Sequence, residues 1–593
     1  MPQGIYDPAK SYEKLDVVTY NGNAYSAKKA TKGVAPTDAN TWKMIIDNSA
    51  ATQALINANN AVTLANQTSN SVPTKIQEEI AKLTDANASM TEVISARTTS
   101  EEVTYPTLKE RLDAEHRGLR EDIRRIDYKT QTHKYGILWD RTNATCTRLY
   151  DAVGMTAAAH KGSINANLVN DFDNVYPWSH RKLCNVDIAE YKRLYEAGAD
   201  IENAITAWED DPDFSYTGSN GAVMVYTPGF WMHTEETDGG VIVAIADGEI
   251  EGWIKVPRYI GGRYHASDDG KGGITSVAGT MPLTFTAMST LHNKAKVNKM
   301  TIDDIWTWTY DTVLLAVEFA TLNTQSAVGD GASNVYRYDG NNLDHPLIAE
   351  TGANRVIAPL TIANAAIPGA ILDIGTSGNN AQVGRRLVTS IETYPDNTNY
   401  KIVNFSGAAL NILTTHCLSI HGIYNTTDAE IGSKSGYVGA NGKANAYYRG
   451  RIAHANDWRY VLGAYRQKDT GHIWIAHNRE EADNYDALNT SVHIDTGFKL
   501  PYQADGTTRK EGYVKELYFH KDFPLFPFVK DVGGNSANPV GDYCWHPDIS
   551  TANTILICGG DADYGAYAGR LYGYWGNTAG SSAWSFAALP FLK

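Results

Sequence analysis

The sequence predicts an α+β chain in three parts: a small N-terminal β module, a helical coiled-coil stalk and a large mixed head. Three observations carry this. A hairpin signal lies near the start, a long apolar seam of helical period follows, and from about residue 135 short aromatic and β-branched runs alternate with turn clusters. No period of 20–50 residues repeats in that last region, so a solenoid or propeller is not expected. At 593 residues the chain has room for several folding units, each able to bury an ordinary core.

The first module spans about residues 1–48. Strand-like runs flank Asn21-Gly22, a dipeptide that favours a two-residue hairpin turn. Trp42 closes the unit after the turn Ala35-Pro36-Thr37-Asp38. This aromatic hairpin resembles chitin-binding-type carbohydrate-binding modules, which recur at the ends of phage tail proteins. That resemblance implies that Tyr20, Tyr25 and Trp42 stack on sugar rings. The competing reading makes the same aromatics the mini-core of a very small domain, with the module serving as a docking knob, and this is the one we expect.

The stalk spans about residues 49–132. Ile76, Ile80, Leu83, Met90 and Ile94 follow one another at steps of four, three, seven and four. Leu108, Leu112, Leu119, Ile123 and Ile126 continue the seam at steps of four, seven, four and three. Isoleucine at both seam positions, as at Ile76 and Ile80, leans toward three strands. Pro106 breaks the helix, because it lacks an N–H and disfavours helix at Tyr105.

Composition excludes several classes of function. There are 52 Lys and Arg against 67 Asp and Glu, a net charge of −15, which disfavours nucleic acid and anionic lipid as partners. No apolar run is long enough for a membrane span, and the first residues lack the pattern of a secretory signal. The five cysteines lack any CxxC, so neither a disulfide framework nor a Cys-based zinc site is expected. No nucleophile elbow, phosphate-binding loop, zinc helix or EF-hand is present, and no cofactor is predicted. His416-Cys417 does not read as a catalytic pair, since neighbours on a strand point to opposite faces. The chain has 35 Tyr and 13 Trp but only 13 Phe, a bias toward large flat rings with a polar handle.

Several segments carry a family resemblance. The stretch from Glu92 to Asp122 is similar to the stalk of Gram-positive phage tail and baseplate receptor-binding proteins. Tyr135–Asp140, Phe172–Trp178, Val223–Trp231, Leu315–Gln325, Tyr448–Ile452 and Trp584–Ala588 resemble, in this order, variable receptor-binding proteins of gut phages. The phage major tropism determinant is the best-known relative by architecture. This resemblance implies a C-type-lectin-like head of the formylglycine-generating-enzyme type. It covers about 135–344 as a first part and 441–593 as a C-terminal part, with an inserted β domain at about 345–440. It also implies a homotrimer on the virion, at the tail tip or fibre. The partners would be a bacterial surface glycan or protein receptor and other tail or baseplate proteins.

In many members of that family a diversity-generating retroelement rewrites the last turns of the head by mutating adenines. An AAC codon so mutated reaches Tyr, Asp, His, Ser, Thr, Gly and Ala, but never Lys, Glu, Gln, Met or Trp. Residues 559–583 hold four Tyr, seven Gly, five Ala and two Asp, and no Lys, Glu, Gln or Met. Small residues give clearance and tyrosines give rigid contact area at low entropic cost, as in antibody loops. The variable display region is therefore placed at about 534–583. Candidate contacts are Asp561, Asp563, Tyr564, Tyr567, Tyr572, Tyr574 and Asn577, with Asn535, Asn538, Tyr543 and His546 as a second tier. Trp584 is expected in the scaffold, and Cys544 and Cys558 are expected as buried small hydrophobes.

The expected function is that of a non-catalytic phage tail adhesin. The alternative is a tail-associated glycan depolymerase, which would need two convergent carboxylates. Acidic clusters exist at Glu235-Glu236 with Asp238, and at Glu209 with Asp210, Asp211 and Asp213, where solvated loops are the simpler reading.

Overall fold

A computed structural model describes residues 1–21, 23–46, 132–141, 145–158, 160–161, 170–329, 331–333, 335–337, 344–378, 380–425, 437–438, 445–454, 457–520, 523–536, 540–549 and 552–593. The chain divides into two units, Met1–Thr132 and His133–Lys593.

In the first unit, strands Pro2–Ile5, Val17–Tyr20, Asn23–Ala27 and Trp42–Ile46 form one sheet in that order. Tyr20 pairs with Asn23 across the turn. Tyr12, Val18, Tyr25, Ala27 and Trp42 make the core, and Tyr6 and Tyr20 pack against it. Tyr25 and Trp42 are thus inward-facing core residues, as a sheet this small requires. The seam from Ile76 to Ile126 and the break at Pro106 lie outside the described residues.

The second unit is built mainly from strands. Of the described residues 41% are in strands and 14% in helices, and one sheet curls into a half-barrel. The expectation of an α+β chain with a C-type-lectin-like head is corrected accordingly. Among the described residues there are six helices, and the expected helical coiled-coil stalk at 49–132 lies outside them except for Thr132. The physical reason lies in runs such as Val223-Met224-Val225-Tyr226 and Thr554-Ile555-Leu556-Ile557: short, β-branched and bounded by turns, they pair with one another, and few segments are left to form helix.

Strands Ile254–Val256, Phe230–Thr237, Gly240–Ala246, Lys134–Asp140 and Thr145–Tyr150 form a five-stranded antiparallel sheet in that order. A six-stranded sheet has Pro590–Leu592, from the C-terminus, between Tyr259–Gly262 and Met300–Ile302. A second six-stranded sheet, from Tyr336–Arg337 to Cys417–Ile423, has its own core around Val356, Leu372, Val403 and Ile420. The largest sheet runs Ile494–Lys499, His472–Ile475, Trp458–Arg466, Thr554–Gly559, Gly569–Asn577, Tyr543–Trp545, Gly512–Leu517 and Val529–Val532.

Helix Ile305–Phe319 packs against the largest sheet and the five-stranded sheet, and all of its residues but Phe319 are buried. Asp304 caps it, accepting hydrogen bonds from the Trp306 and Thr307 backbone N–H groups, while Thr307 returns a capping-box contact. The helix and its cap carry the acids Asp303, Asp304, Asp311 and Glu318 into the interior. Buried arginines distant in sequence meet them: Arg181 and Arg451 bond Asp311 at 2.5 and 2.8 Å, and Arg449 bonds Glu318 at 2.8 Å. Arg570 and Arg459 lie over Trp308, 4.0 and 4.4 Å from its ring centre. Two strands of the largest sheet are thereby fixed to the central helix.

Candidate functional site

Alternation along the largest sheet produces the site. Strand Tyr543–Trp545 runs parallel to Gly569–Asn577, with Cys544 opposite Gly573 and Trp545 opposite Tyr574. Side chains at every second position share a face, so Tyr543, Trp545, Tyr572 and Tyr574 lie together. Cys544, Leu571 and Trp575 point to the other side and join the main core. On the far side of Tyr543–Trp545, strand Gly512–Leu517 sets Tyr513 opposite Tyr543.

The rings form one continuous run. Tyr567 is 5.2 Å from Tyr513 and 4.7 Å from Tyr543. Tyr543 is 5.8 Å from Tyr572, which is 4.5 Å from Trp458. Trp458 reaches Tyr564 at 5.2 Å and Tyr574 at 5.3 Å. Tyr574 stacks on Trp545 at 4.7 Å with 12° between the planes. These separations are those of favourable aromatic pairs, so each ring holds its neighbours in place. Tyr572 is buried at the centre. Tyr513, Tyr543, Tyr564, Tyr574 and Trp545 are half-buried, and Tyr567 is 42% exposed.

The turn joining Thr554–Gly559 to Gly569–Asn577 is fastened at both ends. The Gln325 side-chain amide donates to the Gly565 and Ala568 carbonyls at 2.8 and 2.5 Å. The Arg570 N–H donates to the Thr324 hydroxyl at 2.9 Å, and the Leu571 N–H to the Asp542 carboxylate at 2.6 Å. Gly569 permits that approach, since a Cβ there would stand 2.0 Å from Asp542 Oδ1. Such tethers make the turn a rigid platform on a rigid scaffold.

The candidate contacts divide by burial. Asp563, Tyr567 and Asn535 are exposed, and Tyr564, Tyr574, Asn577 and Tyr543 are half-buried. Asp561, Tyr572 and His546 are buried, Tyr572 at the centre of the ring run. The Asp561 carboxylate accepts from the Asp563 N–H at 3.0 Å, and burial pushes its pKa up to about 7. A ring nitrogen of His546 faces the Pro501 carbonyl at 2.7 Å. Asn538 lies outside the described residues. Sequence reasoning missed Tyr513 and Trp458. Tyr513 stands outside the small-residue window, and its signal was the strand pattern around Gly512-Tyr513-Val514. Trp458 sits in a fully buried strand, where nothing in the sequence separates a supporting ring from any other core aromatic.

Other clusters read as scaffold. Trp584 stacks on His421 at 4.5 Å, and His421 pairs with Asp373, which also binds Arg385 at 2.7 Å. His292 lies between Asp483 and Asp486 at 2.8 and 2.5 Å, which hold its pKa above the usual value against the opposing effect of burial. Cys544 and Cys558 are buried, and desolvation raises both thiols. In the acidic clusters, Glu236 pairs with Arg141 at 3.1 Å and Asp210 with Lys182 at 2.5 Å. Among the described residues no group of three or more His, Cys, Asp and Glu side chains is placed to hold a metal ion, and no helix is long and apolar enough to cross a membrane.

No protein-family model matches this chain, and a search of curated protein sequences returns no significant match.

Proposed function

We propose that this chain is a receptor-binding adhesin of a phage tail, which holds a bacterial surface ligand on its aromatic face without transforming it. The observation that carries the reading is the continuous run from Tyr513 to Trp545 on a tethered sheet, open at Tyr567. Rigid tyrosines beside small residues supply contact area at low entropic cost, which suits recognition. In the acidic clusters Glu236 pairs with Arg141 and Asp210 with Lys182, as solvated surface acids do. In this reading the N-terminal module attaches the protein to the virion.

The test uses the purified full-length chain and a panel of bacteria. Binding that sediments with cells and releases no soluble reducing sugar is the expected result. Sugar release that rises with time would replace the adhesin by a depolymerase.

A further inference from the structure

Beside the aromatic face lies an open groove of about 680 Å³, lined by Tyr502, Gln503, Thr508, Arg509, Lys510 and Glu511, with Ala504. We infer that it is a subsite for a neutral, hydroxyl-rich sugar unit, and that one glycan chain would cross from the tyrosines into it; this rests on the adhesin reading above.

The groove is continuous with the aromatic face. The Arg509 guanidinium lies 5.1 Å over the Trp545 ring, and Trp545 stacks on Tyr574. Glu511 precedes the strand that carries Tyr513, so groove and tyrosines share one short stretch of backbone. The volume falls within the roughly 300–1,000 Å³ usual for small-molecule sites. The loop beneath it is set in advance: Asp505 accepts from the Thr507 and Thr508 N–H groups at 2.8 Å each, and the Gln503 N–H donates to the Thr508 carbonyl at 2.8 Å. Tyr502 is fixed by Arg466, which donates to its hydroxyl at 2.9 and 3.0 Å.

Each cation of the lining has an anion beside it: Arg509 Nε donates to Glu511 at 3.1 Å, and Lys510 pairs with Asp531 at 2.5 Å. Arg509 Nη1 lies 3.9 Å from Asp548. Two cations, Arg509 and Lys510, thus face three carboxylates, Glu511, Asp531 and Asp548, and the chain as a whole carries −15, so no field draws in an anion. An apolar ligand would take this ion-paired lining out of water at a desolvation cost and give nothing in return. A guanidinium has five donors and a carboxylate about four acceptor sites, so the Arg509–Glu511 pair still offers donors and acceptors side by side. A sugar hydroxyl both donates and accepts, which matches that arrangement. The aromatic rings alongside suit the apolar face of a pyranose.

The test is an array of immobilised bacterial polysaccharides, neutral and acidic, probed with the full-length chain and with Arg509→Ala and Glu511→Gln. Thermal melting of each variant checks that it is folded. The inference expects retention on at least one neutral glycan, weakened about tenfold or more by either substitution. Retention only on acidic glycans, no retention on any neutral one, or neutral binding unchanged in both folded variants overturns it. Adsorption to bacteria, measured in parallel, separates the two readings. Adsorption that depends on Tyr567 but not on Arg509 or Glu511 removes the subsite and leaves the adhesin. Adsorption independent of Tyr567, Tyr543 and Tyr513 removes the adhesin itself.

Discussion

Asp561 shows how one residue links the display turn to solution conditions. It is buried at the start of the turn, and desolvation raises its pKa from the ordinary carboxyl value to about 7. The folded state therefore keeps a proton that the unfolded chain releases from about pH 4 upward. Stability contributed by this group is present below about pH 4 and is lost as pH rises to about 7. At about 1.4 kcal/mol per pKa unit the loss is on the order of 4 kcal/mol. Asp561→Asn removes the titration, so its stability should be flatter than wild type between about pH 4.5 and 7.5, as read by urea midpoints at the two pH values. His292 shifts in the same direction and stays in both proteins, so the difference between them isolates Asp561. None of this was legible in the sequence. Asp561 and Asp563 read as equivalent surface acids, yet one is buried and the other exposed. Composition cannot tell which side of a turn faces in.

The central element is helix Ile305–Phe319. Its sequence, from Ile305-Trp306 to Val317-Glu318-Phe319, shows no apolar stripe because nearly every side is buried. An amphipathic search passes over such a segment, and its acids look like surface residues until the arginines that answer them are seen. Those partners lie at Arg181, Arg449 and Arg451, more than a hundred residues away in sequence. Asp311 bonds two of them, and their charges hold its carboxyl well below the usual range despite complete burial. Asp311→Ala would leave both guanidinium groups buried without their shared partner. It should cost roughly 3–5 kcal/mol in urea unfolding. Removing the half-buried surface residue Glu190, paired with Arg193, should cost about 1 kcal/mol or less in the same measurement. Other elements were plainer. The hairpin at Asn21 follows from a local turn preference, and the strand Thr554–Gly559 from a short β-branched run.

For the whole molecule, the signals that carried over were local, and those that failed concerned assembly. Alternation along strand Gly569–Asn577 sets Tyr572 and Tyr574 on one face, but only the sheet order sets Tyr543 beside Tyr572 and brings Tyr513 and Trp458 into the same run. Strand pairings such as Trp458 with Phe586 join positions more than a hundred residues apart, which no window of sequence reveals. The same blindness produced the α+β expectation, because isolated β runs do not announce how few helices stand between them. What emerges is a β scaffold, clamped by buried ion pairs around one helix, that holds an aromatic face rigid and partly open. The most direct measurement of that claim is the affinity of the full-length chain for adsorbing bacteria, before and after the combined substitution Tyr513→Ala, Tyr543→Ala and Tyr567→Ala. Trp231→Ala, on the five-stranded sheet, serves as the control. A triple variant that melts lower than wild type but stays folded at the assay temperature should lose at least tenfold in affinity, with the control close to wild type. Equal affinity in all three proteins would contradict it.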